Sequence, residues 1–434
     1  MKMKKAASFA LGCKVNQYES EAIAELFAEK GYEIVDIDDE ADVYVINTCT
    51  VTNFGDKKSR QLIRKVKRQN ENAIVCVVGC YAQTAPQELE KVEGVNLVLG
   101  TKDRAQIVEM VENYKVENGV ESHVSDIMKE RLFEPLSIQK LANRTRAYLK
   151  IQDGCSQFCS YCIIPYARGP IRSREPEDVI AEVKRLAENG FKEVVLTGIH
   201  VASYGKDRRD TSLLEILRQV HDVEGIDRIR FSSIEPNVVT EEFAQAIADM
   251  PKVCDHFHLS LQSGCDKTLK EMNRKYDTEK YRQAAATLRK YLPEVALTTD
   301  IIAGFPGETE EDFQASYDFA KEIGFAKIHA FPYSPKKGTP AAARKDQLLN
   351  AVKSERSHRL IELSDKMADD FIQAYVGKEV EVLYERAIGE GVYEGHTTNY
   401  IKVHGTSDKD LTNIICKTKI TKAEKEQLFG VAEA

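Results

Sequence analysis

The chain has 434 residues, enough for two to four domains that each bury a core of their own. Its 61 basic and 69 acidic side chains give a formal net charge of −8, so a surface for nucleic acid must be local. The longest apolar runs fall short of about 18 residues, which excludes a membrane-spanning helix. Ten cysteines fit a reducing compartment in which thiols bind metal, and we expect a cytoplasmic protein.

The first third of the chain alternates apolar runs with amphipathic stretches. The pattern predicts strands at 6–12, 42–48, 73–79 and 95–99, and helices at about 17–30, 56–70, 86–92 and 103–114. Such alternation predicts a doubly wound parallel sheet for residues 1–114. The polar, aperiodic segment 115–143 is predicted to be a linker.

Three strands of this predicted sheet each end in a cysteine: Cys13, Cys49 and Cys80. The carboxyl ends of parallel strands share one crevice, where ligands bind, so we expect the three thiols to converge. They suit a three-cysteine iron–sulfur site. The alternative is three buried structural cysteines, since free cysteine is among the most buried residue types.

The predicted helix 56–70 is strongly basic on one face. Residues 57–68 contain seven basic side chains and no acidic one, and Lys57, Arg60, Arg64 and Arg68 form one stripe. A charge run is usually a solvated face, and contact with a phosphate backbone is the competing interpretation. Arg168 could extend the same basic surface toward the centre of the chain.

A second cysteine cluster follows the predicted strand 146–152 at the spacing C-x3-C-x2-C: Cys155, Cys159 and Cys162. Three thiolates in so tight a loop suit a four-iron cluster with one iron left open for another ligand. A zinc site is the alternative, but zinc prefers four ligands in paired knuckles and no such pair follows downstream.

The centre of the chain repeats strand-like runs separated by helices. These runs are 146–152, 193–199, 228–234, 256–262, 296–303 and 327–333. Six βα units predict a partial, TIM-like (β/α)6 barrel in residues 144–371, whose strand ends carry the chemistry. The residues with small or polar side chains at those ends include Thr197, Gly198, His200, Gln262 and Gly304.

The C-terminal part changes to short alternating strands after a linker at 334–346 and a long helix at about 347–375. Strands are predicted at 379–385, 392–397, 399–404 and 412–418. This pattern predicts a small antiparallel β-barrel in residues 372–434. It resembles the TRAM domain, an OB-like module attached to RNA-modifying enzymes.

The C-x3-C-x2-C loop, with Tyr161 just before its last cysteine, resembles that of the radical S-adenosylmethionine (SAM) enzymes. The resemblance implies a [4Fe–4S] cluster whose open iron binds SAM. It places Thr197, Gly198 and His200 near the methionyl amino group, where the family usually carries an acidic residue, so His200 departs from the pattern. It also implies contacts from Tyr161, from Gln262 near the ribose or carboxylate, and from Gly304 near the adenine.

The order of the three parts resembles the methylthiotransferases over nearly the whole chain. The residues that carry the resemblance are 11–17, 47–49, 78–83, 154–169 and 304–309. It implies two [4Fe–4S] clusters, SAM, an external electron donor and a tRNA anticodon loop. Residues 12–16 and 232–236 look most like the group acting on N6-threonylcarbamoyladenosine 37; sister groups act on isopentenyladenosine 37 or on a ribosomal-protein aspartate.

The reaction implied by this resemblance replaces C2–H of the adenine with a methylthio group. That C–H has no useful acidity, so a radical derived from SAM at the Cys155 cluster would activate the carbon. The Cys13 cluster would supply or hold the sulfur, which a second SAM would methylate. Two alternatives are a radical SAM enzyme whose N-terminal cysteines are only structural, and a non-enzymatic iron–sulfur RNA-binding protein.

Overall fold

The computed structural model describes residues 3–138 and 145–433. The N-terminal strands are β1 (Lys5–Ala10), β2 (Glu33–Ile34), β3 (Val43–Thr48), β4 (Ile74–Gly79), β5 (Leu97–Leu99) and β6 (Glu121–His123). The helices of this part are α1 (Lys14–Glu29), α2 (Asn53–Gln69), α3 (Cys80–Thr84), α4 (Pro86–Leu89) and α5 (Ile107–Asn113). All six strands are parallel, in the order β2-β1-β3-β4-β5-β6, which confirms the doubly wound sheet.

Alternate residues of β3 face opposite sides of this sheet, and each side is covered by helices. Tyr44 and Ile46 pack with α2, whereas Val43 and Val45 pack with α1 and α5. Strands buried on both faces are continuously apolar, which is why the sequence pattern identifies them.

The segment 115–143, predicted to be a linker, contains an element of the sheet. Within it, β6 pairs with β5 as the edge strand. Residues 139–143 of that segment, and residue 144 at the start of the predicted central domain, lie outside the described residues.

The central part supplies an incomplete barrel. Its strands are β7 (Arg146–Asp153), β8 (Arg172–Ser173), β9 (Glu193–Gly198), β10 (Arg228–Phe231), β11 (Ser233–Ile234), β12 (His256–Leu259), β13 (Ala296–Ala303) and β14 (Lys327–Pro332). Its helices are α6 (Ile164–Arg168), α7 (Pro176–Glu188), α8 (Leu213–His221), α9 (Glu241–Ala248), α10 (Asp266–Glu271), α11 (Thr278–Tyr291) and α12 (Glu310–Ile323).

The barrel strands form two four-stranded sheets, β10-β9-β7-β8 and β11-β12-β13-β14. The predicted run 228–234 is interrupted at Ser232, so β10 belongs to one sheet and β11 to the other. The wall therefore turns at this residue. Strand β8 pairs antiparallel with β7, whereas the other neighbouring strands of the wall are parallel.

The C-terminal part begins with helix α13 (Asn350–Gln373). Its strands are β15 (Glu379–Gly389), β16 (Val392–Thr397), β17 (Lys402–Thr406), β18 (Ile414–Glu424) and β19 (Gln427–Glu433). They close into a barrel in the order β15-β16-β17-β19-β18. The sequence predicted four antiparallel strands; β19 is additional, and its pairing with β17 is parallel. Across the described residues, no helix combines the length and apolarity needed to cross a bilayer.

A buried charge network joins the N-terminal sheet to the barrel. Glu19 of α1 is fully buried and receives Lys150 Nζ at 2.7 Å and Arg168 Nη2 at 2.9 Å. Arg104 Nη1 lies 2.5 Å from the same carboxylate. Burial opposes the charged form, but Arg104, Arg168 and Lys150 together hold the pKa of Glu19 well below its usual value. The carboxylate is therefore ionised and shared by three cations.

Candidate active site

A single cavity of about 1110 Å³ is lined by all three parts of the chain. Cys13 reaches it from the N-terminal sheet, Cys155, Cys159 and Cys162 reach it from the barrel, and Tyr400 reaches it from the C-terminal barrel. Cys13 and the three barrel cysteines therefore open on one space, whereas Cys49 and Cys80 are not part of its lining.

The barrel cysteines sit in a loop that only glycine can begin. Gly154 has φ +72°, and a Cβ there would lie 1.8 Å from the carbonyl oxygen of Pro170. The loop is closed by the Cys155 N–H, which donates to Gly169 O at 3.0 Å, and by the Cys162 N–H, which donates to Cys159 O at 2.9 Å. The chain is thus folded tightly enough to direct three thiols into the cavity.

Burial raises the pKa of Cys155 to about 11 and that of Cys162 to about 12. The free thiols therefore hold their protons at neutral pH, and a bound cation must displace them. The charge of Arg274 opposes the effect of burial on these two thiols, and its Nη1 donates to Cys159 Sγ at 3.2 Å.

The N-terminal cysteines follow neighbouring structural elements. Cys13 caps α1, Cys49 follows β3, and Cys80 begins α3 directly after β4. Gly12 lies against Cys49 so closely that a Cβ on Gly12 would stand 2.6 Å from its Sγ. Burial raises the pKa of Cys49 to about 12, and the neighbouring thiols of Cys80 and Cys13 add to the effect.

The described residues contain no group of three His, Cys, Asp or Glu side chains that could hold a single metal ion. A zinc site would bring its ligands within about 2.3 Å of one atom. A cubane cluster instead spreads its cysteine ligands around a larger core.

The structure does not place Arg168 on the basic surface that the sequence predicts for RNA contact. Its side chain is fully buried, with 0% exposure. Its guanidinium binds Glu19, and its Nε donates to Cys80 Sγ at 3.2 Å. Arg168 therefore contacts the N-terminal cysteines from the barrel loop and cannot reach a phosphate from this position.

Four of the predicted SAM contacts line the cavity: Tyr161, Thr197, Gly198 and His200. Gln262 and Gly304 are not part of its lining. Gly304 faces α13, because a Cβ on it would lie 2.5 Å from Cγ of Lys353.

Glu235 is a site residue to which the sequence analysis gave no role. It follows β11, and its carboxylate lies 3.0 Å from His200 Nε2 and 2.9 Å from Arg274 Nη2. Although burial opposes ionisation, the nearby His200 and the charge of Arg274 lower the pKa of Glu235. The Glu235 carboxylate, which follows β11, thus places a negative charge beside His200. Its position directly after a predicted strand was the available signal.

Other cavity residues had no sequence signal of their own. His256 and His258 of β12 and His329 of β14 lie on the inner faces of their strands and line the cavity. Their alternation with apolar residues looks like ordinary strand patterning, so local sequence does not single them out.

The basic stripe of α2 remains a prediction for RNA contact. Lys57, Arg64 and Arg68 are exposed. Arg60 is half-buried, and its Nη1 donates to the hydroxyl of Tyr81 at 2.6 Å. One of the four predicted contacts is therefore already engaged within the protein.

The fold and the cysteine loop define a radical SAM enzyme. The chain matches the family described as the Radical SAM superfamily over residues 149–320, and the Uncharacterized protein family UPF0004 over residues 5–100. A solved radical S-adenosylmethionine methyltransferase, TsrM from Kitasatospora setae, shares the fold with a TM-score of 0.57. The alignment has 16% identity and covers 78% of this chain and 77% of that one.

Curated relatives match the chain over nearly its full length. The threonylcarbamoyladenosine tRNA methylthiotransferase MtaB of Bacillus subtilis (strain 168) is 47% identical, covering 97% of this chain and 94% of the relative. The enzyme of the same name from Aquifex aeolicus (strain VF5) is 39% identical, and the match covers 95% of this chain and 99% of the relative. A tRNA-2-methylthio-N(6)-dimethylallyladenosine synthase of Thermoanaerobacter pseudethanolicus (strain ATCC 33223 / 39E) is 38% identical, covering 96% and 90%. The chain belongs to the radical SAM methylthiotransferase family.

Membership implies one [4Fe–4S] cluster and SAM. The barrel loop fits this cofactor set, because three thiols open on one cavity and a guanidinium donates to one of them. The Cys155, Cys159 and Cys162 side chains would hold the cluster.

Proposed function

We propose that this protein inserts a methylthio group at C2 of N6-threonylcarbamoyladenosine 37 in the anticodon loop of tRNA. The observation that carries the proposal is the shared cavity, which Cys13 lines together with all three barrel cysteines. Methylthiolation needs a radical at the base and a sulfur donor beside it, and one cavity can serve both. The names and full-length identity of the two MtaB relatives support the choice of base.

A second [4Fe–4S] cluster is assigned to Cys13, Cys49 and Cys80. When bound, the barrel cluster supplies the electron that cleaves SAM, and the second cluster provides a site for sulfur. Arg274 and Arg168 perform parallel tasks, since each donates to the sulfur of one ligand cysteine at 3.2 Å. Such hydrogen bonds stabilise thiolate charge and tune a cluster.

The remaining assignments concern SAM and RNA. Glu235, together with His200, provides the acidic side chain expected near the methionyl amino group of SAM. The residues proposed to contact SAM are Tyr161, Thr197, Gly198 and His200, and those proposed to contact RNA are Lys57, Arg64 and Arg68. An unpaired base of an anticodon loop can be splayed out into such a cavity. Turnover requires an external electron donor.

Iron analysis and SAM cleavage test the two-cluster assignment. Under anaerobic conditions, wild-type protein should contain about eight irons, and the triple Cys→Ala variant at positions 13, 49 and 80 about four. The triple variant should still cleave SAM but make no methylthiolated base. Cys159→Ala should abolish cleavage, whereas Cys265→Ala, outside the cavity, serves as the matched control. Four irons in both wild type and triple variant would contradict the second cluster.

Nucleoside analysis by mass spectrometry tests the base. Anticodon stem-loop RNAs carrying either N6-threonylcarbamoyladenosine or isopentenyladenosine are compared as substrates of the reconstituted enzyme. We expect product from the first RNA. Product from the isopentenyl RNA alone would assign this chain the activity for which its 38% identical relative is named.

A further inference from the structure

Lys14 is a cation of the cavity that has no carboxylate within ion-pair distance among the described residues. It follows the ligand Cys13 as the first residue of α1 and lines the cavity in a half-buried position. Within residues 3–138 and 145–433, its ammonium makes no hydrogen bond or ion pair. Its Nζ lies over the ring of Tyr148, 5.9 Å from the ring centroid.

The charges around Lys14 compensate it only in part: Arg230 and Arg146 oppose its positive charge, and Glu193 favours it. Arg230 Nε binds Glu193 at 2.8 Å, and Arg146 Nη2 binds Glu385 at 2.9 Å. These two carboxylates are thus engaged by two arginines that themselves act electrostatically on Lys14. This corner of the cavity therefore favours an anion.

His256 supplies an unused donor close enough to Lys14 and Arg230 for their charges to act on it. It lines the cavity with 8% exposure, and its Nδ1 has no hydrogen-bond partner in the described part of the chain. Its Nε2 lies 3.2 Å from the hydroxyl of Thr298, so in the tautomer where Nε2 accepts from that hydroxyl, Nδ1–H is free to donate. A buried donor without a partner is costly, which indicates a ligand.

The proposed substrate carries a matching group. A threonylcarbamoyl substituent on N6 ends in a carboxylate, whereas an isopentenyl substituent is apolar. C2 and C6 of adenine flank the same ring nitrogen, so a base whose C2 approaches the ligand cysteines keeps its N6 substituent close to them. Lys14 is the neighbour of one such cysteine in the chain.

Building on the proposed function, we propose that Lys14 and His256 bind the carboxylate of the N6 substituent and so select the base. An ammonium and an imidazole N–H meeting a carboxylate form charge-assisted hydrogen bonds. The same cation disfavours an apolar substituent, which would leave it buried without a partner.

The test compares two stem-loop RNAs that differ in one group: the threonine carboxylate or its uncharged carboxamide. RNA binding to the reconstituted enzyme is followed by fluorescence anisotropy, and kcat/KM by nucleoside mass spectrometry. Wild type should prefer the acid about tenfold to hundredfold. Lys14→Met should remove most of this preference and improve activity on isopentenyl RNA. His256→Phe, which keeps an aromatic ring beside Tyr400, should weaken it too.

Lys402→Met is the matched control, because Lys402 also lines the cavity but its ammonium is paired with Glu394 at 3.2 Å. This variant should keep the preference for the acid. Equal loss on acid and carboxamide RNA in Lys14→Met would assign Lys14 to an RNA phosphate and overturn the proposal. If Lys14→Met instead raises the KM for SAM in deoxyadenosine formation and keeps the preference for the acid, Lys14 binds SAM and the proposal is overturned as well.

The design separates this proposal from the function on which it rests. If wild type modifies acid and carboxamide RNA equally, the proposed function stands and the carboxylate site is refuted. If wild type modifies only isopentenyl RNA, both the proposed function and the carboxylate site are refuted.

Discussion

Replacing Glu19 by glutamine should destabilise the protein strongly. The carboxylate has 0% exposure and accepts hydrogen bonds from Lys150 Nζ at 2.7 Å and from Arg168 Nη2 at 2.9 Å. It also forms an ion pair with Arg104, whose Nη1 lies 2.5 Å away. The amide of glutamine has nearly the shape of the Glu19 carboxylate but no charge. Lys150, Arg168 and Arg104 therefore stay buried with one negative charge fewer beside them.

The magnitude follows from the burial of these cations. Removing one partner from a buried ion pair typically costs about 3–5 kcal/mol, because the remaining charge is left uncompensated. A whole domain is stabilised by only about 5–15 kcal/mol. We therefore expect Glu19→Gln to lose about 3–5 kcal/mol and to unfold at a clearly lower urea concentration than wild type.

Urea unfolding of the full-length protein, followed by circular dichroism, measures the effect. Glu241→Gln is the matched control, since Glu241 pairs with Lys290 at 3.0 Å on the surface with 60% of each side chain exposed. The control should unfold at the wild-type urea concentration. A loss below about 1 kcal/mol in Glu19→Gln, typical of exposed pairs, would refute the reasoning about burial.

Three further predictions follow from single contacts. The pKa of Glu19 is lower in the folded protein than in the unfolded chain, where it is about 4.3. Its charge therefore stabilises the fold fully above that unfolded pKa and progressively less as the pH falls through the folded pKa. Acid unfolding of Glu19→Gln, followed by circular dichroism, should accordingly depend less on pH than that of wild type. Gly12→Ala should displace Cys49 and reduce the iron content, whereas Gly31→Ala, with similar positive φ but open space, should not; equal iron contents would contradict the contact. Arg274→Met removes a donor to a ligand sulfur, so potentiometry should give a lower reduction potential for the barrel cluster, and an unchanged potential would show that the bond has no electronic effect.

Local patterns in the sequence predicted most of the fold because buried parallel strands are continuous apolar runs. The strands β1, β3 and β4 were found within about two residues, and with them the positions of the cysteines at their ends. Two strands escaped detection for different reasons. Strand β6 has only three residues, too few to show a pattern. Strand β19 has seven residues, but it follows a two-residue turn whose members, Lys425 and Glu426, have positive φ although neither is a glycine, so the sequence carries no turn signal there.

The environment of the cysteines depends on contacts between distant parts of the chain. Arg168 looks like one more arginine beside a loop, yet its partner Glu19 lies 149 residues away. Glu235 reaches His200 from a neighbouring strand end. Local patterning cannot supply such pairings, because each side chain alone is also typical of the surface.

The same pairings explain why the two cysteine sites keep a fixed relation. Arg168 lies six residues after Cys162 and donates to Cys80, so the barrel loop is bonded directly to a cysteine of the N-terminal sheet. Separating the two parts would expose Glu19 and the cations around it and break this bond. Burial makes each of these losses costly, which no exposed ion pair would do. The charge network therefore fixes the position of the N-terminal cysteines relative to the barrel loop.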